Sequence, residues 1–255
     1  MAGITALIPA RGGSKGVHRK NIVSIAGYPL IAYSIAACKM SEKISRVVVS
    51  TEDEEIAEIA TNYGAVVPFM RPRKYATDSS TDFDVLNHFL FKCGYFEGGY
   101  KDSLIAYIRP TTPIRNPYVM DQLIKSFIRS DDFEQATGAR SAHEMPESPY
   151  KCYLIKNKYF NGMFSDFNGI KNYANLPRQM FPTAYQPNGY IDLIKPKTIM
   201  DGKTFGDKVF PLITNYTLEI DTGYQLKTVK ERLSYDCHGS IIRYLRGFSD
   251  ADHSE

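Results

Sequence analysis

Short β-branched runs that alternate with helical patterns constrain this chain more than any other feature. Four of them lie in the first half, at residues 4–8 (ITALI), 46–50 (RVVVS), 66–69 (VVPF) and 104–108 (LIAYI). Unbroken apolar runs of this length suit strands buried on both faces of a parallel sheet. Each is followed by residues at helical spacing. Pro29 stands at a first helical turn, and Leu30, Ile31, Ser34, Ile35 and Cys38 share one face. Ile56, Ile59, Ala60 and Tyr63 mark a second helix, opened by the acids of residues 52–55 and stopped by Gly64. Val85, Leu86, Phe89 and Leu90 mark a third, and Met120, Leu123, Ile124 and Phe127 a fourth over about 117–130. This alternation predicts βαβ units with right-handed crossovers, hence a Rossmann-like α/β fold with an open, mostly parallel sheet.

After about residue 140 the alternation gives way to a stretch rich in aromatics and Asn, read as an inserted hairpin and arm over about 141–176. The α/β pattern resumes at residues 209–213 (VFPLI), and a strand-like TLEI run ending at Asp221 leads into a helix through Leu226, Val229 and Leu233. A single domain over 1–248 with a frayed polar tail at 249–255 is expected. The four cysteines, Cys38, Cys93, Cys152 and Cys237, show neither CxxC nor zinc-finger spacing, which argues against a disulfide framework and favours a reducing cytoplasm. The opening MAGIT lacks the charged and apolar regions of a secretory signal. No apolar stretch reaches the roughly 20 residues of a membrane helix. A formal charge of only +3 speaks against a general nucleic-acid binder or a polybasic membrane binder, so a basic site must be local.

Such a site follows the first strand. Residues 8–21, IPARGGSKGVHRKN, hold Arg11, Lys15, Arg19 and Lys20, and the first acid of the chain is Glu42. Gly12, Gly13 and Gly16 allow backbone N–H groups to turn toward an anion that the cations neutralise. In open α/β sheets the loop leaving the carboxyl end of a strand is where ligands bind. The loop matches neither GxxxxGK[ST] nor GxGxxG, so P-loop hydrolysis and hydride transfer are excluded while a phosphate-rich ligand is retained. His18, His88, His143 and His238 have no triad or metal spacing and are read as surface or packed residues.

RGGSKG followed by RKN resembles the signature loop of the acylneuraminate cytidylyltransferases. The resemblance continues in order through VVSTEDEEIAEIA (48–60), RPRKYATDSS (71–80), RPTTPIRNP (109–117), PRQMFPTAYQPNGYI (177–191) and LEID (218–221). It implies transfer of CMP from CTP to a 2-keto-3-deoxy nonulosonic acid with release of pyrophosphate. By motif match, Arg11, Gly12, Gly13, Ser14, Lys15 and Lys20 would hold the triphosphate, and Asn21, Arg71, Ser79 and Ser80 the nucleoside. Arg11, Lys20 and Asp221 would be catalytic. Ser79 with Asp82 also reads as a helix N-cap. Mg²⁺ would be held by Asp221, with Glu219 two residues upstream on the same strand face where the family carries an aspartate.

Lys151, Arg178, Gln179 and Asn188 match segments lining the family's sugar pocket. Arg109 replaces a usual glutamine and is expected to add a charge there, which makes a related nonulosonate such as a legionaminic-type acid at least as good a candidate as plain N-acetylneuraminate. Gly16 leans toward the sialic and legionaminic side, against the pseudaminic type. The resemblance also implies a homodimer assembled through the 141–176 insert. A pseudaminic or octulosonic substrate remains open, as does a relative that binds CTP without turnover, for which Glu219 and Arg109 are the motivating departures.

Overall fold

The computed structural model describes residues 3–97, 103–235 and 239–249. Strand β1 (Ile4–Pro9) leads through a long loop to a two-strand ribbon of β2 (Ser24–Ile25) and β3 (Tyr28–Pro29) and then to helix α1 (Leu30–Met40). Next come β4 (Ile44–Ser50), α2 (Glu54–Asn62), α3 (Asp82–Lys92), β5 (Ile105–Tyr107), α4 (Pro117–Ile128) and β6 (Gly138–Glu144). The chain then leaves the sheet for a hairpin, β7 (Tyr153–Lys156) and β8 (Tyr159–Gly162), and returns as β9 (Tyr185–Ile194). It closes with α5 (Pro196–Met200), β10 (Val209–Thr214), α6 (Gly223–Tyr235) and α7 (Ser240–Ser249).

The six-stranded sheet has the order β10-β6-β9-β5-β1-β4. Strand β9 runs antiparallel to both neighbours, and the remaining pairings are parallel. Alternate residues feed opposite faces. Ala6, Ile8, Val47 and Val49 pack toward α1 and α4, whereas Leu7, Val48, Ile105 and Tyr107 pack toward Val85, Leu86 and Phe89 of α3. Because α1 lies between the sheet and α7, all its residues from Leu30 to Cys38 are buried, not only the predicted face.

Local chemistry sets the helix starts. Asp53 caps α2 by accepting from the Ile56 N–H at 3.0 Å, and Asn116 with Pro117 opens α4. Thr81 and Asp84 form the capping box of α3, which corrects the expected Ser79 and Asp82 cap.

Several predicted elements change. The run at 66–69 supplies a single bridge from Val66 to Val48, since Pro68 has no N–H for a ladder. The TLEI run is irregular, tied to the sheet by the Ile220 N–H donating to the Thr111 carbonyl at 2.8 Å. The ribbon at 24–29, α5 and α7 were not predicted. Residues 141–144 pair within the sheet as part of β6, so the excursion begins at Met145. Its hairpin turns at Asn157 and Lys158, both at positive φ, and leaves Ile155, Tyr159 and Phe160 at least 73% exposed. Tyr150, stacked on Phe181 with centroids 5.1 Å apart, anchors its base beside Phe164, Phe167 and Tyr173. The expected tail beyond Ser249, together with Cys237 and His238, lies outside the described residues. Among the described residues no helix is long and apolar enough to cross a membrane.

Candidate active site

The parallel strands β1, β4 and β5 deliver their carboxyl ends to one edge of the sheet, and a cleft of about 390 Å³ opens there. The loop after β1 contributes Arg11, Ser14, Lys15, Gly16, Lys20 and Asn21 to its lining. Residues 71–80 add Arg71, Tyr75, Thr77, Asp78 and Ser80. Arg109 and Asp221 complete the wall.

Arg11 donates to the Thr77 carbonyl at 2.7 Å and pairs with Asp78 at 3.1 Å, while Lys15 meets the other oxygen of Asp78 at 2.6 Å. The Lys15 hydrogen bond, with the Lys15 and Arg11 charges, holds the Asp78 carboxyl below its ordinary value. Lys20 donates to the Ile220 carbonyl and to Asp221 Oδ1, both at 2.9 Å. Asn21 is buried and donates to the Arg11 carbonyl at 2.9 Å, so it braces the loop from within. Gly16 is packed so closely that a Cβ there would stand 2.0 Å from the Asp221 carbonyl oxygen.

Other expected residues lie elsewhere. The Gly12 N–H is turned away from the cleft and donates to Glu52 Oε1 at 2.8 Å; Gly12 and Gly13 line a separate recess walled by the acids of residues 52–55. Ser79 Oγ lies 3.0 Å from Thr77 Oγ1 and does not line the cleft, whereas Ser80 does. Asn188 is fully buried, its Nδ2 engaged by Thr214 Oγ1 at 2.7 Å and His143 Nδ1 at 3.2 Å, and its Oδ1 by the Tyr190 N–H. All its side-chain groups are thus engaged within the fold. Lys151 reaches the Ala174 carbonyl, and Arg178 with Gln179 lines a recess at the base of the excursion, outside the cleft of their own chain.

Arg109 does line the cleft, but it adds no unpaired charge. It reaches Asp82 and the fully buried Asp192, each at 2.5 Å. Burial disfavours this cation, yet Asp192 and Asp82 outweigh that and hold it above its ordinary value. The expected extra positive charge is therefore neutralised within the protein.

Glu219 sits behind Asp221, within reach of Thr112 Oγ1 at 3.5 Å, with Gly189 at φ +61 leaving room for its carboxyl. Burial, then the Asp221 charge, pushes this carboxyl up. It shares no strand face with Asp221, because the segment is not a strand.

As site residues, sequence reasoning passed over Glu52, Tyr75, Asp78, Asp82 and Arg115, reading Glu52 and Asp82 only as helix-start acids. Asp78 stood inside a quoted segment, where only Arg71 and the serines drew attention. Arg115 is a buried rivet that donates to the Tyr190 and Gly189 carbonyls and Ser34 Oγ, and burial pulls its guanidinium down to about 10. His88 packs between Phe69 and Tyr75 and His143 against Tyr216, as packed residues.

A family model described as cytidylyltransferase matches residues 5–125. The chain is 31% identical over 225 residues to a CMP-N,N'-diacetyllegionaminic acid synthase of Legionella pneumophila, covering 86% of this chain and 91% of that protein. It is 28% identical to an N-acylneuraminate cytidylyltransferase of Escherichia coli, over 93% of this chain and 55% of that longer protein. In fold it is similar to a CMP:2-keto-3-deoxy-manno-octonic acid synthetase complexed with CTP, with a TM-score of 0.67 at 15% identity, covering 92% of this chain and 100% of the other.

Proposed function

Because the chain belongs to the cytidylyltransferase family, we propose that it joins CTP to a 2-keto-3-deoxy nonulosonic acid, a sialic-acid-like sugar, with release of pyrophosphate. One observation carries this reading: Arg11, Lys15, Lys20 and Asp221 border a single cleft at the carboxyl end of β1. That is the charge pattern a nucleoside triphosphate requires.

The anomeric hydroxyl oxygen attacks the α-phosphorus as the bond to the bridging oxygen breaks; pyrophosphate departs with the electron pair, and the hydroxyl proton is released to water. Negative charge grows on the leaving group, so fixed cations stabilise the transition state more than the ground state. Lys20 has three N–H donors and uses two on Ile220 and Asp221, which leaves one for a phosphoryl oxygen. Arg11 and Lys15 rest on Asp78, half of whose carboxylate is exposed, and such a partner yields readily to a polyphosphate.

Mg²⁺ suits the oxygen donors of Asp221 and Glu219, whose mutual repulsion a divalent cation would relieve. It would neutralise charge on the phosphates. The Legionella relative favours a legionaminic-type acid. A homodimer would cover Ile155, Tyr159 and Phe160 of the hairpin and bring the Lys151 and Arg178 of one copy toward the cleft of the other. The cytoplasm, which supplies CTP and keeps thiols such as Cys93 and Cys152 reduced, is the proposed compartment.

Pyrophosphate release tests the reading, with CTP, UTP or ATP against N-acetylneuraminate, legionaminate, pseudaminate and a 3-deoxy-octulosonate. Release with CTP and a nonulosonate alone is expected. Silence across the panel with CTP still bound would replace it with a non-catalytic CTP-binding role.

A further inference from the structure

Glu52 connects two parts of the cleft that the sequence keeps 60 residues apart, the loop at Arg11 and the side chain of Arg71. Its Oε1 accepts from the Gly12 N–H at 2.8 Å and its Oε2 from Arg71 Nη2 at 3.1 Å. Both partners are shielded from solvent, with 13% of the Glu52 side chain and 3% of the Arg71 side chain exposed. The Arg71 backbone is held independently, by its N–H donating to the Thr51 carbonyl at 2.7 Å. Arg71 Nε is buried without a hydrogen-bond partner among the described residues, so Glu52 is the carboxylate that orients this guanidinium.

Resting on the proposed use of CTP, we infer that Glu52 is a positioning residue for the nucleotide. It fixes the Arg71 guanidinium and, beside it, the backbone of the loop at Gly12, so that both are set before the ligand arrives. Gly12 has little freedom of its own, since a Cβ there would stand 2.4 Å from Asp53 Oδ2, and the loop is seated against the start of α2. A charge-assisted hydrogen bond at each carboxylate oxygen is the strong form of such a link. Preorganisation of this kind appears in affinity for the ligand it serves and leaves a second substrate largely untouched.

Glu52→Gln tests the positioning role through the two substrate constants. The amide keeps the size of the side chain, but it presents an N–H to one of two donors, Gly12 or Arg71. The expected result is roughly a tenfold or greater rise in Kd and KM for CTP, with KM for the sugar acid within about twofold; the melting temperature should fall as well, so both constants are read at a temperature where circular dichroism shows the variant folded. Glu54→Gln, which removes a neighbouring acid outside this link, should leave both constants unchanged. In an Arg71→Ala background the part of the Glu52→Gln effect that acts through Arg71 should vanish, which a double-mutant cycle reads directly.

CTP binding by calorimetry keeps the two proposals apart. Wild-type chain that binds no CTP would overturn the functional reading. Wild-type chain that binds CTP, with Glu52→Gln binding it equally well, would overturn the role of Glu52 alone. Additive effects of Glu52→Gln and Arg71→Ala would overturn the link between them.

Discussion

Gly16 and Asp221 meet backbone to backbone, so closely that a Cβ on the glycine would lie 2.0 Å from the aspartate carbonyl oxygen. The contact ties the glycine-rich loop after β1 to the segment before α6, two regions more than 200 residues apart in sequence. It also brings Asp221 within hydrogen-bond distance of Lys20.

Gly16→Ala should therefore separate Lys20 from Asp221. Overpacking of this kind costs about 1–3 kcal/mol. The melting temperature should fall, and pyrophosphate release should drop roughly tenfold or more as the catalytic groups move apart. Normal kinetics in this variant would show that the loop can move without consequence.

Lys20→Ala should lower kcat by about 10²–10³, in line with the removal of one fixed donor from a charged transition state. Its pair with Asp221, a residue whose side chain is 63% exposed, adds about 1 kcal/mol or less to stability, so the fold should persist. Circular dichroism beside a pyrophosphate assay reads both effects. An active Lys20→Ala chain would overturn the assignment of the loop.

Asp221→Ala should abolish turnover and the Mg²⁺ requirement together. A Mg²⁺ titration of residual activity provides the check, and an unaltered metal dependence would move the cation to other ligands.

Glu219 gives a pH signature. Its folded carboxyl titrates above its ordinary value of 4.5, owing to burial and then Asp221. Between these two values the folded chain binds more protons than the unfolded one, so stability is lost as pH rises through that window. Glu219→Gln should thus raise the melting temperature at pH 8 and bring little gain at pH 4. Equal shifts at both values would contradict the assignment.

Arg109→Gln should leave Asp192 buried without its guanidinium partner and destabilise the chain by about 3–5 kcal/mol, and Asp192→Asn should restore part of the loss. If Arg109 instead received the substrate carboxylate, KM for the sugar would rise while the melting temperature stayed fixed.

The strands at 4–8, 46–50 and 209–213 and the first four helices were legible because their signals are local: β-branched runs, helical spacing, and an acid or proline at the helix start. The basic loop that lines the cleft was legible for the same reason, since its cations and glycines are contiguous. Periodicity misread 66–69 and TLEI, where one proline and one long-range hydrogen bond override strand propensity. Motif matching assigned Asn188 and Arg109 by position, and could not see that buried partners already satisfy them.

Residue order alone thus determined the α/β class, the position of the loop at the end of β1, and the cations and glycines that equip it. Tertiary structure decided which groups line the cleft. It turned Gly12 toward Glu52, closed Asn188 inside the fold, neutralised Arg109 between Asp82 and Asp192, and set Asp221 against Gly16 and Lys20. The reason is physical: a buried polar or charged group must find its partner wherever the folded chain supplies one, and that partner can lie 200 residues away.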